Sequence, residues 1–208
     1  MSEDRSDAVD ADRHESTASD LTHTTDDGDV QMVDVGAKPD TRRRAVAVGE
    51  IRLRKSTLEA IREDEVSKGD VLATARVGAI QAVKHTWETI PMCHQIPITN
   101  VDTAFRFLED GAGERGGSAG EDDVDEGSER SEPGDSEPAS AALELEVTVE
   151  TTGKTGCEME ALEGVTTGLN VVWDMVKAVE KDADGQYPAT RIEHVRVLEK
   201  EKRSSNTK

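Results

Sequence analysis

Between residues 143 and 179 the hydrophobic period of the chain changes once, and that change limits the possible folds more than any other feature. Leu143, Leu145, Val147 and Val149 alternate with Glu144, Glu146, Thr148 and Glu150. An extended segment so patterned has one apolar face and one charged face, as a half-buried strand does. Met159, Leu162, Val165, Thr166, Leu169, Val172, Trp173, Val176 and Val179 then recur at helical intervals, which predicts a long helix with one broad apolar face. Elements that are apolar on one side only must cover each other, so a layer of helix on sheet is required.

The first half of the chain has the same kinds of element. Ala45 to Leu53 reads as a strand with a bulge at Gly49. Ser56 followed by Glu59 is a capping-box pattern that predicts a short helix to about Arg62. Val71, Leu72, Ala75, Ala79, Ala82, Val83 and Thr86 predict a second helix that ends before Pro91. Val101, Thr103, Phe105 and Phe107 alternate as a strand, and Arg191 to Leu198 reads as the last one. Setting the short helix aside, the order is β-α-β-β-α-β. This is the ferredoxin-like split pattern of an α+β fold, an antiparallel sheet with helices on one face.

Charge locates the remaining segments. The chain of 208 residues has a formal net charge of −20. Residues 1–31 hold 10 acids and 2 bases, and residues 109–140 hold 12 acids and 2 bases, so the other 145 residues are nearly neutral. Both acidic segments have too little apolar area to offset chain entropy. They read as a disordered acidic tail at 1–31 and a flexible acidic insert at 109–140 in the hairpin between the middle strands, where a long excursion costs little. One domain over 32–200 and a tail at 201–208 complete the expected organisation. Surface carboxylates of this density suit a salt-rich cytoplasm, although ten lysines outside the two segments run against that hypothesis. No apolar run is long enough to span a membrane, and the acidic N-terminus does not read as a signal peptide, so a cytoplasmic protein is expected. Cys93 and Cys157 support neither a disulfide framework nor a closed zinc site. Nucleic acid is an unsuitable partner for a body with no positive field and almost no aromatics.

Several residues have chemistry that this architecture does not require. Asp174 and Lys177, three apart on the long helix, share a face either as a surface ion pair or as working groups. Glu158 and Glu160 flank Met159 in its first turn, where carboxylates complement the helix dipole. The preceding Thr-Gly-Lys-Thr-Gly (152–156) offers backbone N–H groups to a phosphate, but Thr148 stands where a Walker A loop needs glycine. His94 and Cys93 lie in a loop bracketed by Pro91 and Pro97, and Arg42, Arg43 and Arg44 form a small basic run. In the split pattern Lys68, the 152–160 turn and the Asp174/Lys177 pair converge within one chain or across a subunit interface.

Taken together, Met-Val-Asp-Val-Gly-Ala-Lys-Pro (32–39), Lys-Gly-Asp-Val-Leu-Ala-Thr-Ala-Arg (68–76), Ile-Pro-Met-Cys-His (90–94), Thr-Gly-Lys-Thr-Gly-Cys-Glu-Met-Glu-Ala-Leu (152–162) and Trp-Asp-Met-Val-Lys-Ala-Val-Glu-Lys-Asp (173–182) resemble the MoaC family of cyclic pyranopterin monophosphate synthases. The resemblance covers 32–108 and 141–200. It implies the second step of molybdenum cofactor biosynthesis, in which 3′,8-cyclo-7,8-dihydro-GTP becomes cyclic pyranopterin monophosphate and pyrophosphate. That chemistry is acid–base throughout and uses no redox cofactor; whether magnesium accompanies the pyrophosphate stays open. The implied assembly is a homohexamer, a trimer of dimers, with sites at the dimer interfaces.

By the same resemblance Asp174, Lys177 and Lys68 are the catalytic groups, and one lysine beside the carboxylate is expected to lose basicity. Met92, Cys93 and His94 match one substrate-binding segment and Met159 with Glu160 the other. Glu160 faces guanine-type N–H donors, Glu158 stands beside it, and Arg43, His94 and Lys200 are cations for the triphosphate. The family usually ends in a Gly-rich Lys-Ser-Gly-Gly-Lys type tail. This chain has Glu199-Lys200-Glu201-Lys202 instead, which leaves the role of Lys200 open. Two other readings need different residues. A regulatory ferredoxin-like module would bind a nucleotide without needing Lys68, Asp174 and Lys177 together. A metal-dependent phosphohydrolase would need converging carboxylate or histidine ligands.

Overall fold

A computed structural model describes residues 32–108 and 140–204 of the chain. The chain divides into two units, 1–34 and 35–208. Of the first, only 32–34 are described, without regular structure. The expectations for 1–31 and 109–139 lie outside the described residues.

The second unit runs β1 (Thr41–Arg54), α1 (Lys55–Arg62), α2 (Val71–Thr89), β2 (Ile98–Leu108), β3 (Ser140–Gly153), α3 (Glu158–Glu180) and β4 (Arg191–Ser204). The four strands form one sheet in the order β2-β3-β1-β4, with every neighbouring pair antiparallel. Its centre is the unbroken β1–β3 ladder, in register from Thr41 opposite Gly153 to Arg54 opposite Ser140.

Alternation along the strands sets what each face does. Ala45, Ala47, Ile51 and Leu53 of β1 and Leu143, Leu145, Val147 and Val149 of β3 join one core with Ala75, Ala79 and Val83 of α2 and Val165, Leu169, Val172 and Val176 of α3. The residues between them face the other way and pair across strands: Arg42 with Glu150 at 2.7 Å, Arg44 with Glu199 at 2.9 Å, Arg52 with Glu193 at 2.7 Å, and Arg106 with Glu144. Two of the glutamates that alternate with the leucines and valines of β3 are thereby paired.

Four local expectations are corrected. The extra residue next to Gly49 belongs to β4, not β1: Val48 pairs with Arg196 and Glu50 with Glu193, so one residue of β1 opposes two of β4. Gly49 is required for space, because a Cβ there would lie 2.8 Å from Val165 Cγ1 and 2.9 Å from Val195 Cγ2. The capping box is not formed. The N-cap of α1 is Arg54, with no side-chain cap, which places Ser56 inside the first turn. On α3, Met159 and Val179 are exposed while Glu160 and Glu180 are buried; the apolar stripe drifts around a helix of 23 residues. Finally, β4 continues through 201–204, pairing Ser204 with Thr41, so half of the expected tail is strand.

Candidate active site

The sequence brings Lys68 to α3 through a short, well-determined turn. Asp70 is the N-cap of α2, its Oδ1 accepting from the Ala73 N–H at 2.8 Å. Gly69 takes φ +98°, a value that favours glycine, and its N–H donates to Val66 O at 2.9 Å. This reversal sends the Lys68 side chain across to α3. Lys68 Nζ donates to the Asp174 backbone carbonyl at 2.6 Å and to Asp174 Oδ2 at 3.1 Å. The other carboxylate oxygen, Oδ1, accepts from Lys177 Nζ at 2.6 Å. Three residues singled out from the sequence therefore meet around one carboxylate.

The electrostatics of this group follow from its geometry. Lys177 and then Lys68 hold the Asp174 carboxyl below the usual aspartate range by hydrogen bonding and charge. Lys177 does not lose basicity. Its hydrogen bond to Asp174 raises it above the ordinary lysine range, because the nearby carboxylate outweighs a burial cost that is small for an exposed ammonium. All three side chains are between 40% and 59% exposed. Ion pairs this open add little to stability, because solvent screens them, so stability gives little reason for assembling them.

A second group gathers at the other end of α3. The loop at 90–97 is tied to the end of β3 by Thr151 Oγ1 donating to Pro97 O at 2.7 Å, and Cys93 N–H closes a turn on Ile90 O at 3.0 Å. Met92, Cys93 and His94 are half-buried in that loop. Burial, and then the Glu160 charge, raise the Cys93 thiol, which suits a lining residue better than a nucleophile. Glu160 is only 5% exposed; burial, with the Glu158 charge added to it, pushes its carboxyl up to about 7. Nearby Cys157 is pushed up to about 12, chiefly by burial. Glu158 Oε1 lies 3.1 Å from Lys200 Nζ, so β4 delivers Lys200 to this turn although the glycines of the family tail are absent. Arg43 Nη2 donates to Lys154 O at 3.1 Å, and Lys154 Nζ donates to Gly36 O. Met159 is exposed in the same turn of α3.

One chain does not join the two groups. Glu160 and Asp174 stand fourteen residues apart on α3, about 21 Å along the axis at about 1.5 Å per residue. Sequence reasoning also passed over Tyr187. It is the chain's only tyrosine, and its ring meets Trp173 edge-on with centroids 5.7 Å apart. The neighbouring Trp-Asp motif was the available signal. Among the described residues, Glu50, Glu193 and His194 bring ligand-type atoms within 4.8 Å of one another. There the two Glu193 oxygens accept from Arg52 at 2.7 Å and Arg191 at 2.8 Å, so the group is an ion-pair network.

The MoaC family pattern matches residues 32–203. A protein of Natronomonas pharaonis named probable cyclic pyranopterin monophosphate synthase is 65% identical over 186 residues, 89% of this chain and 97% of that protein. One of the same name from Halobacterium salinarum is 64% identical over 182 residues, 88% of this chain and 93% of its own. A probable cyclic pyranopterin monophosphate synthase accessory protein of Methanothermobacter thermautotrophicus is 46% identical over 182 residues, 88% of this chain and 94% of its own.

Proposed function

The chain belongs to the MoaC family, and from that premise we propose that it converts 3′,8-cyclo-7,8-dihydro-GTP to cyclic pyranopterin monophosphate with release of pyrophosphate, as a lyase of molybdenum cofactor biosynthesis. The observation that carries the catalytic assignment is the Asp174 carboxylate held between Lys177 at 2.6 Å and Lys68 at 3.1 Å on an exposed face. Opening one ring, closing another and forming a cyclic phosphate each move protons. A carboxylate kept ionised beside two ammonium groups can accept a proton and return one at adjacent atoms.

The second group binds. Arg43, Lys200 and His94 are the cations for the triphosphate, and Met92, Cys93 and Met159 line the ring end. Glu160, titrating near 7, accepts from guanine-type N–H donors when ionised. The loop at 152–160 adds backbone N–H groups at the N-terminus of α3.

Because the groups stand about 21 Å apart on one helix, one chain supplies the acid–base cluster and a neighbour the binding cluster. This fits the homohexamer, a trimer of dimers, that the family resemblance implies. The strand order supports the ferredoxin-like reading: β3 lies between the parallel β1 and β2, and β1 lies between the parallel β3 and β4, as two interleaved β-α-β halves require. No helix among the described residues is long and apolar enough to cross a membrane. A cytoplasmic location, salt-rich as the relatives from Natronomonas and Halobacterium suggest, completes the reading.

The test is incubation with the cyclised GTP intermediate, followed by detection of pyrophosphate and of the oxidised fluorescent pterin. Lys68→Ala, Asp174→Asn and Lys177→Ala are each expected to abolish turnover with thermal unfolding and oligomer size nearly unchanged. Full activity in Asp174→Asn would sink the catalytic assignment. Co-expression of Asp174→Asn with Glu160→Gln tests the shared site: random pairing in dimers restores roughly a quarter of native activity, and none returns if each chain carries a whole site.

A further inference from the structure

Tyr187 is placed by structure that the proposed reaction does not use. Its loop is tied down at both ends: Asp182 Oδ1 accepts from Gln186 N–H at 2.7 Å and Asp184 N–H at 3.0 Å. At the far end Thr190 N–H donates to Tyr187 O at 3.2 Å, and Thr190 Oγ1 donates to the fully buried Glu180 at 2.6 Å. The ring so held rests edge-on against Trp173, the residue before Asp174. Lys181 Nζ lies 5.9 Å from its centroid, within the range at which an aromatic face attracts a cation.

The spacing gives this contact a consequence. Trp173, Lys177 and Lys181 follow one another at intervals of four residues, Lys181 being the C-cap of α3, so they lie along one stripe. Two ammonium groups four apart repel each other, and Lys177 is the partner of Asp174. Tyr187 is also close enough to Lys177 to raise it slightly, the smallest contribution after Asp174 and the opposing burial cost. The charged groups that act on the Asp174 carboxyl are Lys177 from α3 and Lys68 from the connection before α2; Tyr187, from the connection before β4, acts on Lys177, and Lys181, the cap of α3, meets the Tyr187 ring.

We propose that Tyr187 is a positioning residue of the acid–base cluster: braced on Trp173, its ring holds the Lys181 cation aside and so keeps Lys177 on Asp174. Its importance for turnover rests on the synthase reading, but the arrangement itself does not.

The experiment follows the Asp174 carboxyl carbon by NMR from pH 2 to 5 in the full-length protein. Tyr187→Leu frees Lys181, loosens Lys177 and is expected to raise the Asp174 midpoint by about 0.3 pH unit, the size of an i,i+4 charge interaction. Tyr187→Phe keeps the ring and leaves the midpoint in place, and Lys181→Gln added to Tyr187→Leu brings it back. Lys181→Gln in the otherwise native chain leaves it unmoved, because the ring already holds that cation away. This last variant keeps the test open if Tyr187→Leu does not fold. An unmoved midpoint in Tyr187→Leu, an equal shift in Tyr187→Phe, or a shift in Lys181→Gln alone overturns the inference. The expected midpoints in a protein that does not turn over the cyclised GTP intermediate would overturn the synthase reading and leave the positioning role standing. With turnover present, Tyr187→Leu lowers kcat several-fold with KM little changed.

Discussion

Glu160 makes the stability of the fold depend on pH in a direction opposite to that of a paired carboxylate. It sits in the first turn of α3, 5% exposed, and burial pushes its carboxyl from the ordinary 4.5 up to about 7. The folded chain therefore holds this proton through a window in which the unfolded chain has released it. Its contribution to stability is complete below about 4.5 and is lost as pH rises through about 7. A difference of about 2.5 pH units at about 1.4 kcal/mol each gives roughly 3–4 kcal/mol as an upper bound by pH 8. Glu160→Gln keeps the shape and removes the titration. Urea unfolding of both proteins at one protein concentration, at pH 5, 6, 7 and 8, gives ΔG by linear extrapolation. Glu160→Gln is expected to gain about 2–3 kcal/mol on the native protein between pH 5 and pH 8. A gap that stays flat across that range would refute the argument, since it would mean that Glu160 ionises in the fold as readily as in the unfolded chain. A glutamate that lowers stability at neutral pH in this way suits a site that needs an acceptor for N–H donors.

Packing, capping and the acidic segments give further tests. Gly168→Ala would drive a Cβ into Leu145 Cδ2 and put it 3.2 Å from Ala79 Cβ, so it should lower the urea midpoint with m unchanged, at a cost of about 1–3 kcal/mol. Asp70→Ala removes the side-chain cap of α2 and should cost about 1 kcal/mol in the same assay. Replacing 110–139 with a short Gly-Ser turn should preserve folding and turnover, because Leu108 and Ala142 already pair across the hairpin; size-exclusion chromatography showing a collapsed oligomer would make the insert structural. Turnover and solubility of the intact chain should fall as salt is lowered from molar concentration, and indifference to salt would remove the salt-rich cytoplasm from the reading.

What the sequence determined by itself was periodicity and residue type. A period of two over 143–149 and a helical period over 159–179 demanded a strand and a helix that cover each other, whatever the rest of the chain did, because burial of one-sided apolar surface is local in its requirement and large in its effect. The same local logic marked Asp174 and Lys177 as a pair the core did not need, and the family resemblance added Lys68. Tertiary structure decided where those residues meet. The reversal at Gly69 sends Lys68 to a helix more than a hundred positions away, and only the β1–β4 ladder carries Lys200 to Glu158. The Gly49 bulge and the Ser56 cap were misread because each depends on a neighbour the local pattern does not contain: an extra residue of β4, and Arg54 ending β1 directly at the helix. Glutamates are seldom buried, and the burial of Glu160 and Glu180 was settled by the drift of the apolar stripe around a long helix packed against both a sheet and α2. Charge state follows the same division, since a carboxyl's intrinsic affinity for a proton belongs to the residue, but desolvation and partners belong to the fold.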